Sequence, residues 1–212
     1  MRQRNKPWAD EFLNENDHII LKDPSQYKGK WKRDVFQNDR PIHVEVGVGK
    51  GQFITEKAKR HPDVNFLGIE LAKSIIVTAG EKVLSQAIEN VYLMQENAQD
   101  ILDFFSEGEI AALYLNFSDP WPKNRHEKRR LTFHTFLDKY RHILQAKGKI
   151  MMKTDNASFF EYSLVSFSKA GMILEEVDLD LHQTPKPNEV MTEYEERFIR
   201  KGNPIYRCTV RL

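Results

Sequence analysis

The sequence predicts an α/β fold: a doubly wound, mostly parallel sheet of seven strands with helices on both faces. Three observations carry this. From residue 41 onward, short apolar runs of strand length alternate with longer segments of helical periodicity, the pattern of successive βαβ units. The first apolar run passes into a glycine-rich turn that opens a helix, and such sheets bind ligands at the carboxyl ends of their strands. The chain has 212 residues, which suits one domain with a short extension and is long enough to bury a core without staples.

The elements follow in order. Residues 1–40 carry Pro7, Pro24, Gly29 and dense charge, so only short amphipathic pieces are expected there: an N-terminal extension ahead of a domain spanning 41–212. Strands are expected over 42–48, 64–71, 91–95, 111–117, 150–153, 173–181 and 205–210. Helices are expected over 52–60, 74–88, 101–105, 127–144, 157–168 and 192–200. In the helix over 127–144, Phe133, Phe136, Leu137, Tyr140, Ile143 and Leu144 recur at helical spacing and form one buried face.

Several classes are excluded early. One cysteine, Cys208, leaves no internal disulfide framework and no cysteine-based zinc finger. It lies in an apolar-alternating strand and reads as core rather than nucleophile. His126, His134 and His142 recur every eight residues, a spacing that drifts around a helix and does not converge on a metal, so no metal site is expected. The longest apolar runs, such as that from Ile110 to Leu115, fall far short of the ~20 residues a membrane span needs. The basic start is followed by charge where a secretory signal would be apolar. A cytoplasmic protein is expected, as a monomer or a homodimer.

The balance of 32 basic to 31 acidic residues argues superficially against a polyanionic partner. Its distribution argues otherwise. Residues 41–122 hold 6 basic and 12 acidic side chains, whereas 123–153 hold 10 basic and 2 acidic. Local asymmetry of this kind marks either a polyanion-binding surface or a solvated helix face.

Two motifs carry chemistry. The first is Glu45-Val46-Gly47-Val48-Gly49-Lys50-Gly51, between a strand and a helix. Its glycines permit a tight turn and close approach of a ligand to the backbone. Glu70 ends the second strand about 20 residues on, where an acid accepts ribose hydroxyl hydrogens. These features fit NAD or S-adenosylmethionine. The spacing Gly-x-Gly-x-Gly and the carboxylate of Glu45 favour the cationic cofactor, because a carboxylate beside a pyrophosphate would be repulsive. Asn97, after the third strand, offers an acceptor and donors to an adenine edge.

The second motif is Asn116-Phe117-Ser118-Asp119-Pro120-Trp121-Pro122, after the fourth strand. Two prolines around a tryptophan make a stiff loop, a place to preorganise a catalytic group, with Asp119 as the candidate. Next come Lys123, Asn124, Arg125, His126, Glu127, Lys128, Arg129 and Arg130, with five cations in eight residues. Cations at a helix N-terminus oppose the macrodipole unless an anion binds there, which points to phosphate. Trp8 and the cations Arg2, Arg4 and Lys6 could extend that surface.

The run SDPWPKNRHEKRR closely resembles the bacterial tRNA (guanine-N7-)-methyltransferase family. RNKPWA, VEVGVGKG, GIE, YLNFSDPWPK, KTDN and MTEYEE carry the resemblance along most of the chain. It implies a Rossmann-like class I methyltransferase that moves a methyl group from S-adenosylmethionine to N7 of guanine 46 in the tRNA variable loop. The implied cofactor positions fall on Glu45, Glu70, Asn97 and Asp119, with Gly47, Gly49 and Gly51 in the loop. Substrate positions fall on Lys123, Asp155 and the run Thr192, Glu193, Tyr194 and Glu195, and the proposed catalytic acid on Asp119. The family commonly has Asp at the third cofactor position. Here Asn97 stands there with Glu96 adjacent, so either the register slips by one or an amide replaces a carboxylate.

The implied chemistry limits the roles. Guanine N7 has an in-plane lone pair and no hydrogen, so it attacks a sulfonium methyl without a general base. The demands are in-line alignment and tolerance of positive charge developing on the purine. Asp119 meets the second demand or positions a reactant. Guanine N1–H and its exocyclic amine can both be accepted by one carboxylate, from Asp155, Glu193 or Glu195. Thr192-x-x-Glu195 is equally a capping box. Three rival readings remain. An adenine N6 methyltransferase would need the second proline before Trp121. An NAD-dependent reductase would need a different glycine spacing. A non-catalytic RNA-binding module would have no use for Glu45, Glu70 and Asp119.

Overall fold

Central strands of a parallel sheet are buried on both faces and read as continuous apolar runs. Asn65–Ile69 is such a strand, with every residue buried. In the computed structural model, which describes residues 6–183 and 190–212, it lies in the first of two compact units, Met1–Ser106 and Glu107–Leu212.

The first unit contains α1 (Ala9–Glu15), β1 (Ile20–Leu21), β2 (Ile42–Val46), α2 (Gln52–Arg60), β3 (Asn65–Ile69), α3 (Lys73–Ser85), β4 (Val91–Met94) and α4 (Ile101–Phe104). Its strands run in the order β1-β4-β3-β2 and all pair parallel. Gly68 of β3 is demanded by packing, because a Cβ there would come within 2.6 Å of Val48 and Leu93. α2 turns Phe53, Ile54 and Ala58 inward and carries Lys57, Lys59 and Arg60 in its last turn, where cations suit the helix dipole.

The segment expected as an extension is built into this unit. β1 pairs with β4, Ile20 opposite Leu93 and Leu21 opposite Met94. Trp31 is fully buried in a π-helical stretch, Trp31–Phe36, and its indole N–H donates to the carbonyl of Phe104 at 2.8 Å. β1 raises the strand number to eight among the described residues, against seven expected. A two-residue strand lacks the length to register as a pattern. Arg2 and Arg4 lie outside the described residues. Lys6 does not face outward: its ammonium donates to Thr78 at 2.9 Å and lies 4.5 Å over the Trp8 ring.

The second unit contains β5 (Ile110–Asn116), α5 (His134–Ile143), β6 (Leu144–Thr154), α6 (Ala157–Lys169), β7 (Ile173–Asp178), α7 (Glu193–Ile199) and β8 (Tyr206–Arg211). β5 and β6 pair parallel; β8 lies antiparallel between β6 and β7. Cys208 is fully buried in β8, and burial pushes its thiol up to about 12, as expected of a core cysteine. α6 starts at Asn156, whose side chain accepts from the Phe159 N–H at 2.8 Å.

One helix differs from expectation. The helix predicted over 127–144 begins only at His134, and Asn124–Arg129 forms a 3-10 turn instead. Arg130 is extended, at φ −65 and ψ 130, because its side chain reaches back to the preceding loop. Buried Thr132 is held by Ser163 at 2.8 Å. The cations therefore do not sit on an α-helix N-terminus, and the dipole argument for phosphate does not apply to them.

Candidate active site

The first unit supplies a cofactor-type locus. β2 ends at Val46, and the loop that follows carries Gly47, Gly49 and Gly51 at φ 79, 55 and 81. Gly51 is doubly constrained, since a Cβ would also stand 3.0 Å from that of Ala79. At Gly49 only the dihedral demands glycine, and a Cβ there would meet nothing within 4 Å. Glu70 organises the turn. One carboxylate oxygen accepts from the Gly49 N–H at 3.1 Å and the other from the Ala72 N–H at 2.9 Å. Glu45, in β2, is only 3% exposed.

Asn97 lies three residues beyond the end of β4 and caps a short 3-10 turn, its side-chain oxygen accepting from Gln99 N–H at 3.0 Å. Its amide N–H₂ group is the part suited to a ring nitrogen. The neighbouring Glu96 carboxyl is shifted up, mainly by burial and then by the charges of Asp100 and Asp23. The donor set fits S-adenosylmethionine: carboxylates for an ammonium and ribose hydroxyls, an amide for adenine, and a glycine turn open on one side.

The second unit supplies a rigid loop. Phe117 and Trp121 take left-handed backbone, at φ 51 and 41, two residues either side of Asp119. Each such residue costs on the order of 1–2 kcal/mol and persists only where surrounding contacts enforce it, often at functional sites. Phe117 is held by its N–H, which donates to Lys153 carbonyl at 2.8 Å, and by ring contact with Tyr194 at 5.0 Å. Trp121 is held by Arg130, whose guanidinium donates to its carbonyl. Asp119 itself is exposed. The buried hydroxyl of Ser118 beside it has no hydrogen-bond partner among the described residues.

Tyr194 lies near two of the expected site residues, Asp155 and Asp119. Its ring stacks on Phe198 at 4.3 Å, and the side chain remains 44% exposed. Its hydroxyl is shifted up by burial first, then by Asp155, with Arg197 opposing and Asp119 adding. Asp119, Asp155 and Tyr194 thus share one neighbourhood.

Glu195 does not join them. The capping box predicted for 192–195 forms, with Thr192 accepting from the Glu195 N–H at 2.9 Å. The Glu195 side chain is fully buried and receives Lys153 at 3.2 Å, His182 at 2.9 Å and the Thr192 N–H at 3.2 Å. In the protein its carboxylate oxygens are engaged by these groups rather than turned to the surface. Asp155 and Glu193 are both half-buried. Lys153, 4% exposed, was missed by the sequence reading; a lysine inside an apolar strand run was the available signal.

In the basic run, Lys123, Asn124, Arg125, Lys128 and Arg129 are exposed, whereas His126, Glu127 and Arg130 are half-buried. His126 meets the Trp121 ring edge-on at 5.7 Å, and Arg129 lies 4.7 Å over it.

The strand–glycine loop–helix unit closed by Glu70, with a rigid Asp-Pro-Trp-Pro loop after another parallel strand, defines a methyltransferase of the Rossmann-like class I type. The fold matches that of a solved 16S rRNA methyltransferase with a TM-score of 0.66 at 12% identity, covering 87% of this chain and 93% of that one. Residues 39–208 match the family model described as "Putative methyltransferase". The tRNA (guanine-N(7)-)-methyltransferase of Oceanobacillus iheyensis is 58% identical over 98% of this chain and 97% of its own length. That of Bacillus licheniformis is 60% identical over 98% and 97%. The chain belongs to the tRNA (guanine-N7-)-methyltransferase family.

Proposed function

We propose that the protein transfers a methyl group from S-adenosylmethionine to N7 of guanine 46 in the tRNA variable loop, in the cytoplasm. The observation that carries this reading is the exposed Asp119, fixed between two left-handed aromatic residues beside Tyr194 and Asp155, in a chain of this family. S-adenosylmethionine supplies the electrophilic methyl. Glu45 is suited to its ammonium, Glu70 to the ribose hydroxyls, and Asn97 or Glu96 to the adenine edge.

The N7 lone pair attacks without prior deprotonation, so no residue is needed as a base. Asp119 stabilises the positive charge that builds on the purine. Asp155 or Glu193 accepts from N1–H and the exocyclic amine, a pattern adenine lacks. Tyr194, kept protonated, presents its ring to the base. Lys123, Arg125 and Lys128 meet phosphates. Because these contacts are electrostatic, engagement of 6–10 phosphates would weaken binding by ~10³–10⁵ between 50 and 200 mM salt.

The test is incubation with labelled S-adenosylmethionine and unmodified tRNA, followed by nucleoside analysis and repetition with adenine at position 46. The expected product is 7-methylguanosine, lost with the substituted tRNA. Methylated adenine, or methylation at another guanine, refutes the proposal. Asp119→Asn keeps the shape and removes the charge. We expect turnover to fall roughly 10²-fold with binding retained; near-normal turnover removes the electrostatic role.

A further inference from the structure

Arg130 reads in the sequence as one more cation of the RNA-facing run, but its side chain is turned the other way. Its Nε donates to the carbonyls of Pro120 at 3.1 Å and Trp121 at 3.3 Å, and Nη2 donates again to Trp121 at 3.1 Å. The guanidinium carbon lies 4.2 Å over the ring of Tyr162 in α6. A planar fork with several donors suits two adjacent carbonyls, and its apolar face suits an aromatic ring. Tyr162 is anchored in turn: its hydroxyl interacts with Ser166 and with Glu127 of the same basic run.

The carbonyls that Arg130 grips belong to the two residues following Asp119, one of which is the left-handed Trp121. Such a backbone persists only when something enforces it, and the fork is bonded directly to the strained residue. We propose that Arg130 is a positioning residue. Through the Pro120 and Trp121 carbonyls, with Tyr162 as its backing, it fixes the loop that carries Asp119, and it does not bind phosphate. The inference rests on the methyl-transfer reading above. It divides the basic run in two: Lys123, Arg125 and Lys128 face outward as phosphate contacts, whereas Glu127 and Arg130 assemble the catalytic loop.

Arg130→Lys separates the two roles because it retains the charge and loses the fork. A lysine serves as a phosphate contact but cannot hold two carbonyls against a ring. The readouts are the single-turnover rate constant for methyl transfer at saturating tRNA, the tRNA dissociation constant across a salt series, and the thermal midpoint. We expect Arg130→Lys to slow the chemical step roughly ten- to a hundredfold, as misplacement of a catalytic group does. Its tRNA affinity and salt slope should match the parent. Lys128→Ala, by contrast, should make the salt slope shallower by about one.

An unchanged rate constant in Arg130→Lys overturns the proposal. So does a loss confined to tRNA affinity with a shallower slope. If Arg130→Lys fails to fold, Tyr162→Leu makes the same test by removing the ring and leaving every charge in place. A slowed chemical step with parental tRNA affinity supports the clamp, and a parental rate overturns it. A parent protein that moves no methyl group to tRNA refutes the functional reading instead, so the two failures are distinct.

Discussion

His43 in β2 shows how a single side chain ties this fold to pH. Burial lowers its pKa to about 4, with the charges of Lys57 and His61 contributing and Asp63 opposing. Its ring packs against Phe66 at 5.5 Å. The unfolded chain takes up a proton near pH 6.5, but the folded chain does so only near 4. Between those values the unfolded state binds more protons, so stability is full above about 6.5 and declines as pH falls toward 4. The decline should total about 3 kcal/mol. Urea titrations of the parent and His43→Phe between pH 7 and 4 check this, and the variant should show a correspondingly flatter dependence. At this scale the sequence was only partly informative. The prolines around Trp121 announced a stiff loop, but the left-handed backbone of Phe117 and Trp121 has no compositional signature, since neither residue favours it. Arg130 misled for a related reason: a guanidinium's partner here is a pair of carbonyls, and carbonyls leave no mark in a sequence.

Among the elements, α7 illustrates burial of charge for the sake of placement. The Lys153 ammonium sits at the end of β6, 3.0 Å from the Val190 carbonyl and 3.2 Å from Glu195. Removing the ammonium leaves the buried Glu195 carboxylate with only His182 and the Thr192 N–H among the partners named above. Lys153→Met should therefore cost about 3–5 kcal/mol, and the double variant Lys153→Met with Glu195→Gln distinctly less. Denaturant midpoints of the parent and both variants check this; a loss in the double variant as large as in Lys153→Met, or larger, would overturn the prediction. The periodicities located α2 at the observed bounds and most other core elements within about three residues, but β6 begins at Leu144, six residues before the strand expected over 150–153. They placed the start of α5 too early because Glu127–Leu144 reads as helix-compatible throughout, whereas Arg130 and Thr132 are each drawn to partners outside that segment. β1 escaped notice because a strand of two residues is stabilised by its register with β4, which only three dimensions supply.

For the molecule as a whole, net charge is a poor guide to partners. The total of +1 combines an acidic stretch bearing the carboxylates suited to a cationic cofactor with a basic stretch suited to phosphates. Affinity for tRNA should fall linearly in log–log coordinates with added salt, as a filter-binding series at constant pH would show. A flat response would remove the outward cations from the interface. Binding of S-adenosylmethionine, if the proposed carboxylates hold it at close range, should change much less over the same range.

The place of β8 between β6 and β7 bears on how the protein is made. The sheet of the second unit cannot close while residues 206–211 are still to be synthesised, because β6 and β7 both pair with that later strand. Until then each presents an open edge, the kind of edge that recruits strands from neighbouring chains. A nascent chain stalled before residue 206 is therefore the form most in need of a chaperone.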